Sequence, residues 1–294
     1  YFTETETKLY AGSPSSENGR YSFGEQKFYE NNFSFLVTAQ KDRVLGDFGG
    51  VFTFGGNLME RKSTGVSNSV SALTVPDLFW LTNSTDSNRS ISQTYTHRKT
   101  NSLYGTLGVN YDGWAFLDLT GRNDWSSTLS KSNRSFFYPS VSLGWVFTEV
   151  EALKNDILTF GKIRGSYAEV GMAGEYVPSY YYTPSYGGGF FQGTPIMYPI
   201  NGNMAYIPYF VVYDPNLKPQ NTKSYELGAD LTFLNGLVSL NYTYSRQNVK
   251  DQIFEVPLAG STGASSMMMN GGKMHSNVHE ITLGISPVDT KNFK

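Results

Sequence analysis

Cysteine is absent from this chain of 294 residues, which removes both a disulfide framework and any thiolate metal centre. No run of about eighteen apolar residues occurs, so a transmembrane helix is excluded. Neither sign of charge dominates. Lys and Arg number 23 against 25 Asp and Glu, with no basic tail, and nothing argues for nucleic acid as a partner. Phosphate-cradling glycine patterns are missing too: neither GxGxxG nor GxxxxGK[ST] is found. No Ser/His/Asp order stands out, so we expect no enzyme, no catalytic residues and no cofactor. His275 and His279 invite a metal reading. At strand spacing they would sit about 13 Å apart without a third ligand, so we expect no metal site. Helical periodicity is nearly absent, and no initiator methionine or signal peptide is visible where the sequence opens on YFTETETKLY, so a fragment or a processed piece is expected.

Alternation is present instead. Aromatic residues make up 15% of the chain, which also carries 30 glycines, a composition that suits a membrane barrel or a large sandwich. The clearest segment is Leu217–Ile253. From Tyr225 to Phe233 the odd positions are Tyr, Leu, Ala, Leu and Phe, separated by Glu226, Gly228, Asp230 and Thr232. Asn235-Gly236 then reads as a two-residue hairpin turn. Pairing Leu234 with Leu237 sets Phe233 against Val238, Leu231 against Leu240, Ala229 against Tyr242 and Leu227 against Tyr244. Asp230 then meets Asn241 and Glu226 meets Ser245 on the other face. Both strands agree on which face is apolar, so the register is well specified.

The same pattern predicts ten strands: 1–10, 27–40, 47–61, 93–111, 114–127, 138–148, 157–170, 222–233, 237–254 and 277–287. Short links are expected near 41–46, at 112–113, along 149–156 with a helical turn, and at 235–236. Long ones are expected over 62–92, 128–137, 171–221 and 255–276. Alternating short and long links place all long loops at one end, as in outer-membrane barrels. Asp112-Gly113 fits a plain two-residue turn badly, because Leu107 would then face Asp118. Adding Trp114 to the loop, with a bulge, restores Leu107 opposite Leu119. Aromatics at strand ends (Tyr111, Trp114, Phe147, Phe233, Tyr242 and Tyr244) fit interfacial girdles.

GRNDWSSTL (121–129) followed by FFYPSVSLGWVFTE (136–149) resembles a strand pair of the SusC/RagA-type TonB-dependent outer-membrane transporters of Bacteroidetes. KIRGSYAEVG (162–171), NLKPQNTKSYELGADLTF (216–233) and 248–284 are similar to the segments that follow in that family, in the same order. The resemblance implies an all-β fold, here a segment of about ten strands from a transmembrane antiparallel barrel of roughly 22, with long extracellular loops. It also implies an amino-terminal plug, a TonB-interacting segment and a SusD-like surface lipoprotein that closes over the mouth. Residues 1–294 are then expected to be part of one barrel domain, truncated at both ends, with plug and TonB segment outside the quoted sequence.

On that reading the location is the bacterial outer membrane and the function is nutrient import of glycans or oligopeptides. A surface adhesin or receptor barrel is the alternative, and a soluble carbohydrate-binding sandwich is a third. Leu231, Phe233, Val238 and Leu240 are expected to touch lipid, with Glu226, Asp230 and Asn241 facing the lumen. The stretch Tyr176–Tyr213 holds twelve aromatics and no Asp, Glu, Lys or Arg. Its Tyr180, Tyr181, Tyr182, Tyr186, Phe190 and Phe191 are candidates for contact with substrate or lid lipoprotein, and packing of the loop on itself is the competing reading. Met267-Met268-Met269 is expected in another external loop. Arg122 and Asp124 are expected to form a lumenal or rim ion pair that orders the loop, with a substrate contact as the alternative.

Overall fold

A computed structural model describes residues 1–12, 16–153, 155–174 and 211–286, together with Gly202 and the backbone of four short strands between 180 and 208. The long strands are β1 (Phe2–Leu9), β2 (Arg20–Leu45), β3 (Phe48–Val70), β4 (Arg89–Tyr111), β5 (Ala115–Ser126), β6 (Ser135–Val146) and β7 (Leu158–Met172). Short strands β8 (Tyr180–Tyr182), β9 (Ser185–Tyr186), β10 (Ile196–Met197), β11 (Tyr206–Pro208) and β12 (Val211–Tyr213) follow. The chain then continues through β13 (Gln220–Phe233), β14 (Val238–Pro257) and β15 (Ser266–Ile285). Hydrogen bonding orders eleven of them as β1-β2-β3-β4-β5-β6-β7-β13-β14-β15-β12. β12 joins in parallel to the outer end of β15, while β8 pairs with β11 and β9 with β10 in two small ribbons. The described residues contain no helix long and apolar enough to cross a membrane.

All ten expected strands are present, and several run further than the alternation suggested. β2, β3 and β15 continue through polar sequence, where period 2 persists without an apolar face to reveal it. Met267, Met268 and Met269 are therefore not in a loop. They lie in β15, opposite Val256, Glu255 and Phe254, because pairing with β14 carries on to Pro257 and Ser266. The links shrink accordingly, to 71–88, 127–134 and 258–265 on the side expected to be long. The link 147–157 on the other side outlasts two of these, so link length separates the two ends less cleanly than expected. It contains 3-10 turns at Phe147–Glu149 and Glu151–Leu153, matching the anticipated helical turn.

Two turns test the register. Three residues, Asp112–Trp114, join β4 to β5, with positive φ at Asp112 (45°) and Gly113 (73°). A Cβ on Gly108 would lie 3.0 Å from Asp118 Oδ1, the adjacency that the three-residue loop requires. At 234–237 the ladder matches expectation from Phe233–Val238 upward. Leu234 and Leu237, however, do not form a ladder pair. Leu234 takes φ 52°, its N–H bonds to the Ile157 carbonyl at 2.8 Å, and the turn bond from Leu237 N–H to the Leu234 carbonyl is 3.3 Å. Asn235 (φ 56°) and Gly236 (φ 97°) keep the left-handed conformations of a type I′ turn.

The chain divides into two compact units, 1–34 with 57–101, and 35–56 with 102–294. In the first, Val70 and Leu73 are each 1% exposed beneath the 71–88 link. That link is tied by the Asn83 side chain, which bonds Val75 and Leu78, and by Arg89, which bonds Ser84 and Thr82. Phe79 meets Tyr10 edge-on at 5.0 Å. In the second unit the described sheet is a single layer with little interior. Beyond the first unit's pair, the buried apolar side chains are Leu129, Val146, Leu217 and Val249, whereas large ones such as Leu143, Ile163, Leu227, Ile281 and Leu283 lie exposed along the strands. A soluble fold does not leave an apolar sheet face of that extent in water.

Candidate functional site: the two faces of the sheet

Strand alternation and register in the second unit sort side chains into two faces. On one, rows run across β7, β13, β14 and β15: Leu231 beside Leu240 and Leu283, then Ile163, Ala229, Tyr242 and Ile281. Next come Gly165, Leu227, Tyr244 and His279, and then Tyr167, Tyr225, Arg246 and Asn277. Val238 stands between Phe233 and Ile285 at the turn end. The face continues over β6 and β5, where Val141, Leu143 and Trp145 pair with Leu119, Leu117 and Ala115. Aromatics gather at both limits of this apolar zone. Near the short turns Phe48, Tyr111 and Trp114 contact one another at 4.6 and 5.2 Å, with Trp145 and Phe147 at 6.0 Å. At the far limit Tyr167 and Tyr225 are 5.0 Å apart, Tyr244 and His279 4.9 Å, and the Tyr242 hydroxyl is 2.9 Å from His279 Nδ1.

The opposite face is polar and tightly connected. Arg164 on β7 lies across Gly228 of β13, where an added Cβ would come within 2.7 Å of the guanidinium Nε. That missing side chain lets Arg164 span three strands. Nη1 donates to Glu226 at 2.6 Å, Nη2 donates to Thr243 Oγ1 on β14 at 2.6 Å, and Nε lies 3.6 Å from Asp230. Asp230 in turn accepts from the Asn241 amide and stands opposite Lys162, whose ammonium sits 5.5 Å above the Phe116 ring. Glu226, Asp230 and Asn241 therefore belong to one network, as their shared face implied. Arg164 is its hub, a role the sequence did not announce because the long 173–219 link hides which strand β7 meets.

A second polar cluster lies on the same face. Arg122 Nε donates to Asp124 at 2.9 Å and Nη2 donates to Ser102 Oγ at 2.9 Å, while the guanidinium lies 5.6 Å from the Tyr104 ring centre. The Tyr138 hydroxyl donates to the other oxygen of Asp124, which is 8% exposed. This is the expected ion pair, reinforced from β4 and β6. Among the described residues no group of three or more His, Asp or Glu could hold a metal ion. Tyr180, Tyr181, Tyr182 and Tyr186 contribute backbone to the small ribbons, and their side chains lie outside the described structure, as do Phe190 and Phe191.

Comparison with known proteins follows the same lines. The sequence profile of the family "TonB dependent receptor-like, beta-barrel" matches residues 1–278. TonB-dependent receptor P26 of Formosa agariphila is 27% identical over 245 residues, 80% of this chain and 23% of the relative. TonB-dependent receptor SusC of Bacteroides thetaiotaomicron is 26% identical over 199 residues, 65% of this chain and 19% of the relative. The chain thus spans about a fifth of the length of the curated relatives it matches. Among solved structures, the RagAB peptide transporter aligns over 96% of this chain and 30% of its own, with a TM-score of 0.76 at 17% identity. The RagAB peptide importer in the closed-closed state gives 0.78 at 16% identity, over 99% of this chain and 31% of its own.

Proposed function

The chain belongs to the TonB-dependent receptor β-barrel family of the outer membrane, and from that membership we propose that it forms wall and outer loops of an energised importer. The single observation that carries this reading is the division of one sheet into an apolar face bounded by aromatics and a polar face of linked charges. From Tyr225 to Phe233 the strand is about 26 Å long at ~3.3 Å per residue, or about 20 Å along a membrane normal at ~40° tilt. That is close to the roughly 25 Å apolar band of outer-membrane barrels. Leu231, Phe233, Val238 and Leu240 then face lipid. Glu226, Asp230 and Asn241, with Arg164, face the lumen, where polar side chains remain hydrated and the pathway keeps an aqueous lining.

The barrel's role is mechanical and selective. It seals the membrane, gives a plug something rigid to move against, and presents its outer loops to cargo. Glycans or oligopeptides are the cargo classes we assign, and a SusD-like lipoprotein is the lid. The lid follows from the resemblance of the motifs to SusC/RagA-type transporters, and the peptide class from likeness to the RagAB peptide transporter. Residues 1–294 are then part of one barrel domain, with the TonB-coupled plug elsewhere in the protein. The uncharged aromatic stretch 176–213 supplies contact area at low entropic cost, suited to stacking on neutral cargo or docking the lid.

Uptake by cells expressing the full-length protein tests this. Import of a labelled glycan or peptide pool that requires both TonB and the proton gradient is the expected result. Binding that persists without import in tonB-intact, energised cells refutes it. Alanine at Tyr181 and Phe190 should weaken cargo or lid association, and no change in either, in folded protein, removes the contact role from that loop.

A further inference from the structure

Beyond the far aromatic limit, the lipid-side face of β7, β13, β14 and β15 changes character. The row Tyr167, Tyr225, Arg246 and Asn277 is followed by Glu169, Lys223, Asn248 and His275, and then by Gly171, Asn221, Lys250 and Lys273. Four permanent cations, Arg246, Lys223, Lys250 and Lys273, thus stand in three rows against one carboxylate, Glu169. That carboxylate is already engaged, accepting from the Tyr167 hydroxyl and from Lys223 at 2.9 Å. Arg246 bonds only the amide oxygen of Asn248, at 3.3 Å, and among the described residues neither Lys250 nor Lys273 has an ion-pair partner. All three side chains are exposed.

We propose that this patch binds the phosphate groups of the glycolipid that forms the outer leaflet around the barrel. The inference rests on the reading that the apolar face below it contacts lipid. Two observations single out this occupant. First, the patch is continuous with the apolar zone: the same alternating positions that carry Leu231, Leu240 and Leu283 carry tyrosines and a histidine one level up, and lysines and arginine above those. A lipid whose chains lie on the leucines has its headgroup at the level of the cations. Second, the charge is of the right sign and form. Spaced ammonium groups and one guanidinium, interleaved with Asn221, Asn248 and Asn277 as neutral donors, match a polyol bearing phosphates. A cargo site would face the lumen, and this patch has its back to it.

The experiment uses full-length protein purified in detergent and two probes: bis-phosphorylated lipid A, and the same lipid stripped of phosphate. Bound lipid per protein is counted by native mass spectrometry. Each cation near an anionic surface contributes roughly a five-fold affinity gain. The triple variant Arg246→Gln, Lys250→Gln and Lys273→Gln should therefore lose on the order of 10²-fold of the preference for the phosphorylated lipid. The charge-keeping triple Arg246→Lys, Lys250→Arg and Lys273→Arg should retain most of it and controls for folding. Equal binding of the two lipids by native protein overturns the proposal, as does an unchanged preference in the neutral triple. A preference that disappears together with dissociation of a second copy of the chain also overturns it, and assigns the patch to a protein contact. Failure of native protein to associate with detergent or with either lipid refutes the lipid-facing reading itself, a result distinct from the others.

Discussion

Gly228 should be a position where adding one methyl group has opposite effects in two backgrounds. In the native sheet a Cβ at Gly228 would approach Nε and Cζ of Arg164 to 2.7 and 2.8 Å, so the guanidinium must move. Moving it gives up the bonds to Glu226 and Thr243, both at 2.6 Å, and the proximity to Asp230. Arg164 and Glu226 side chains are 31% and 41% exposed, so these contacts are screened, and together they are worth about 1–2 kcal/mol. Against this, Gly→Ala in a strand-compatible conformation restricts the unfolded chain and stabilises by about 0.4–1 kcal/mol. Gly228→Ala alone should then cost about 0.5–1 kcal/mol. In an Arg164→Ala background the clash is gone, and Gly228→Ala should stabilise by about 0.5 kcal/mol. The coupling of about 1–2 kcal/mol is read from a double-mutant cycle, using denaturant midpoints of the full-length protein in micelles. Equal effects of Gly228→Ala in both backgrounds would falsify the claim that the glycine exists to seat the arginine.

Depth and face give further expectations. Leu231→Arg should destabilise by about 2–4 kcal/mol in bilayer-based unfolding, whereas Thr232→Arg, one residue on and facing the other way, should cost under about 1 kcal/mol; matching losses would refute the face assignment. Gly236→Ala places a Cβ at φ 97° and should cost about 1–2 kcal/mol, with slower refolding of the hairpin; an unchanged unfolding midpoint would contradict the turn geometry. In the first unit, Glu60 accepts from His97 at 2.7 Å and pairs with Lys62 at 3.2 Å, which hold its carboxyl down at about 2 against an ordinary 4.5. Because the folded value is the lower one, this carboxylate favours the folded state above pH 4.5 and loses that contribution as pH falls toward 2. Carbon-13 titration of labelled Glu60 should show the low value in native protein and a rise in His97→Ala; an ordinary value in native protein would refute the contact.

The sequence was most legible where one face is apolar. Phe233, Leu231, Ala229 and Leu227 found the partners their alternation demanded, because slipping by one residue would put Asp230 and Glu226 among leucines. It was less legible where both faces are polar. The 62–70 portion of β3 and the 266–276 portion of β15 read as loop, since pairing there is maintained by backbone bonds and the neighbouring strand rather than by a hydrophobic contrast. Leu234 shows a third limit. Its side chain suits a ladder, but a backbone bond to Ile157, far away in sequence, draws it into φ 52°. Arg164 shows a fourth: its charge was visible, while its three partners depended on a strand pairing that spans the link 173–219.

These particulars have a common physical origin. In a single-layer sheet each residue meets one solvent on its own side, so odd and even positions answer to different media. The positions of β13 on the face of Arg164 stay polar or small throughout, from Glu226 through Gly228 and Asp230 to Thr232. The outer positions record depth instead: Phe233 at the turn, Leu231 and Ala229 in the middle, Tyr225 at the far limit, Lys223 and Asn221 beyond. Neighbouring strands repeat the order in register, with Val238, Leu240, Tyr242, Arg246 and Lys250 on β14 and Ile285, Leu283, Ile281, His279 and Lys273 on β15. Aligned gradients on three strands are not required by hydrogen bonding, which any side chains would permit. They follow if the outer face meets a medium that is itself layered, apolar at the centre and anionic at the rim. A soluble sandwich has no reason to grade its core from leucine to lysine along every strand, so the gradient argues for a bilayer more strongly than alternation does.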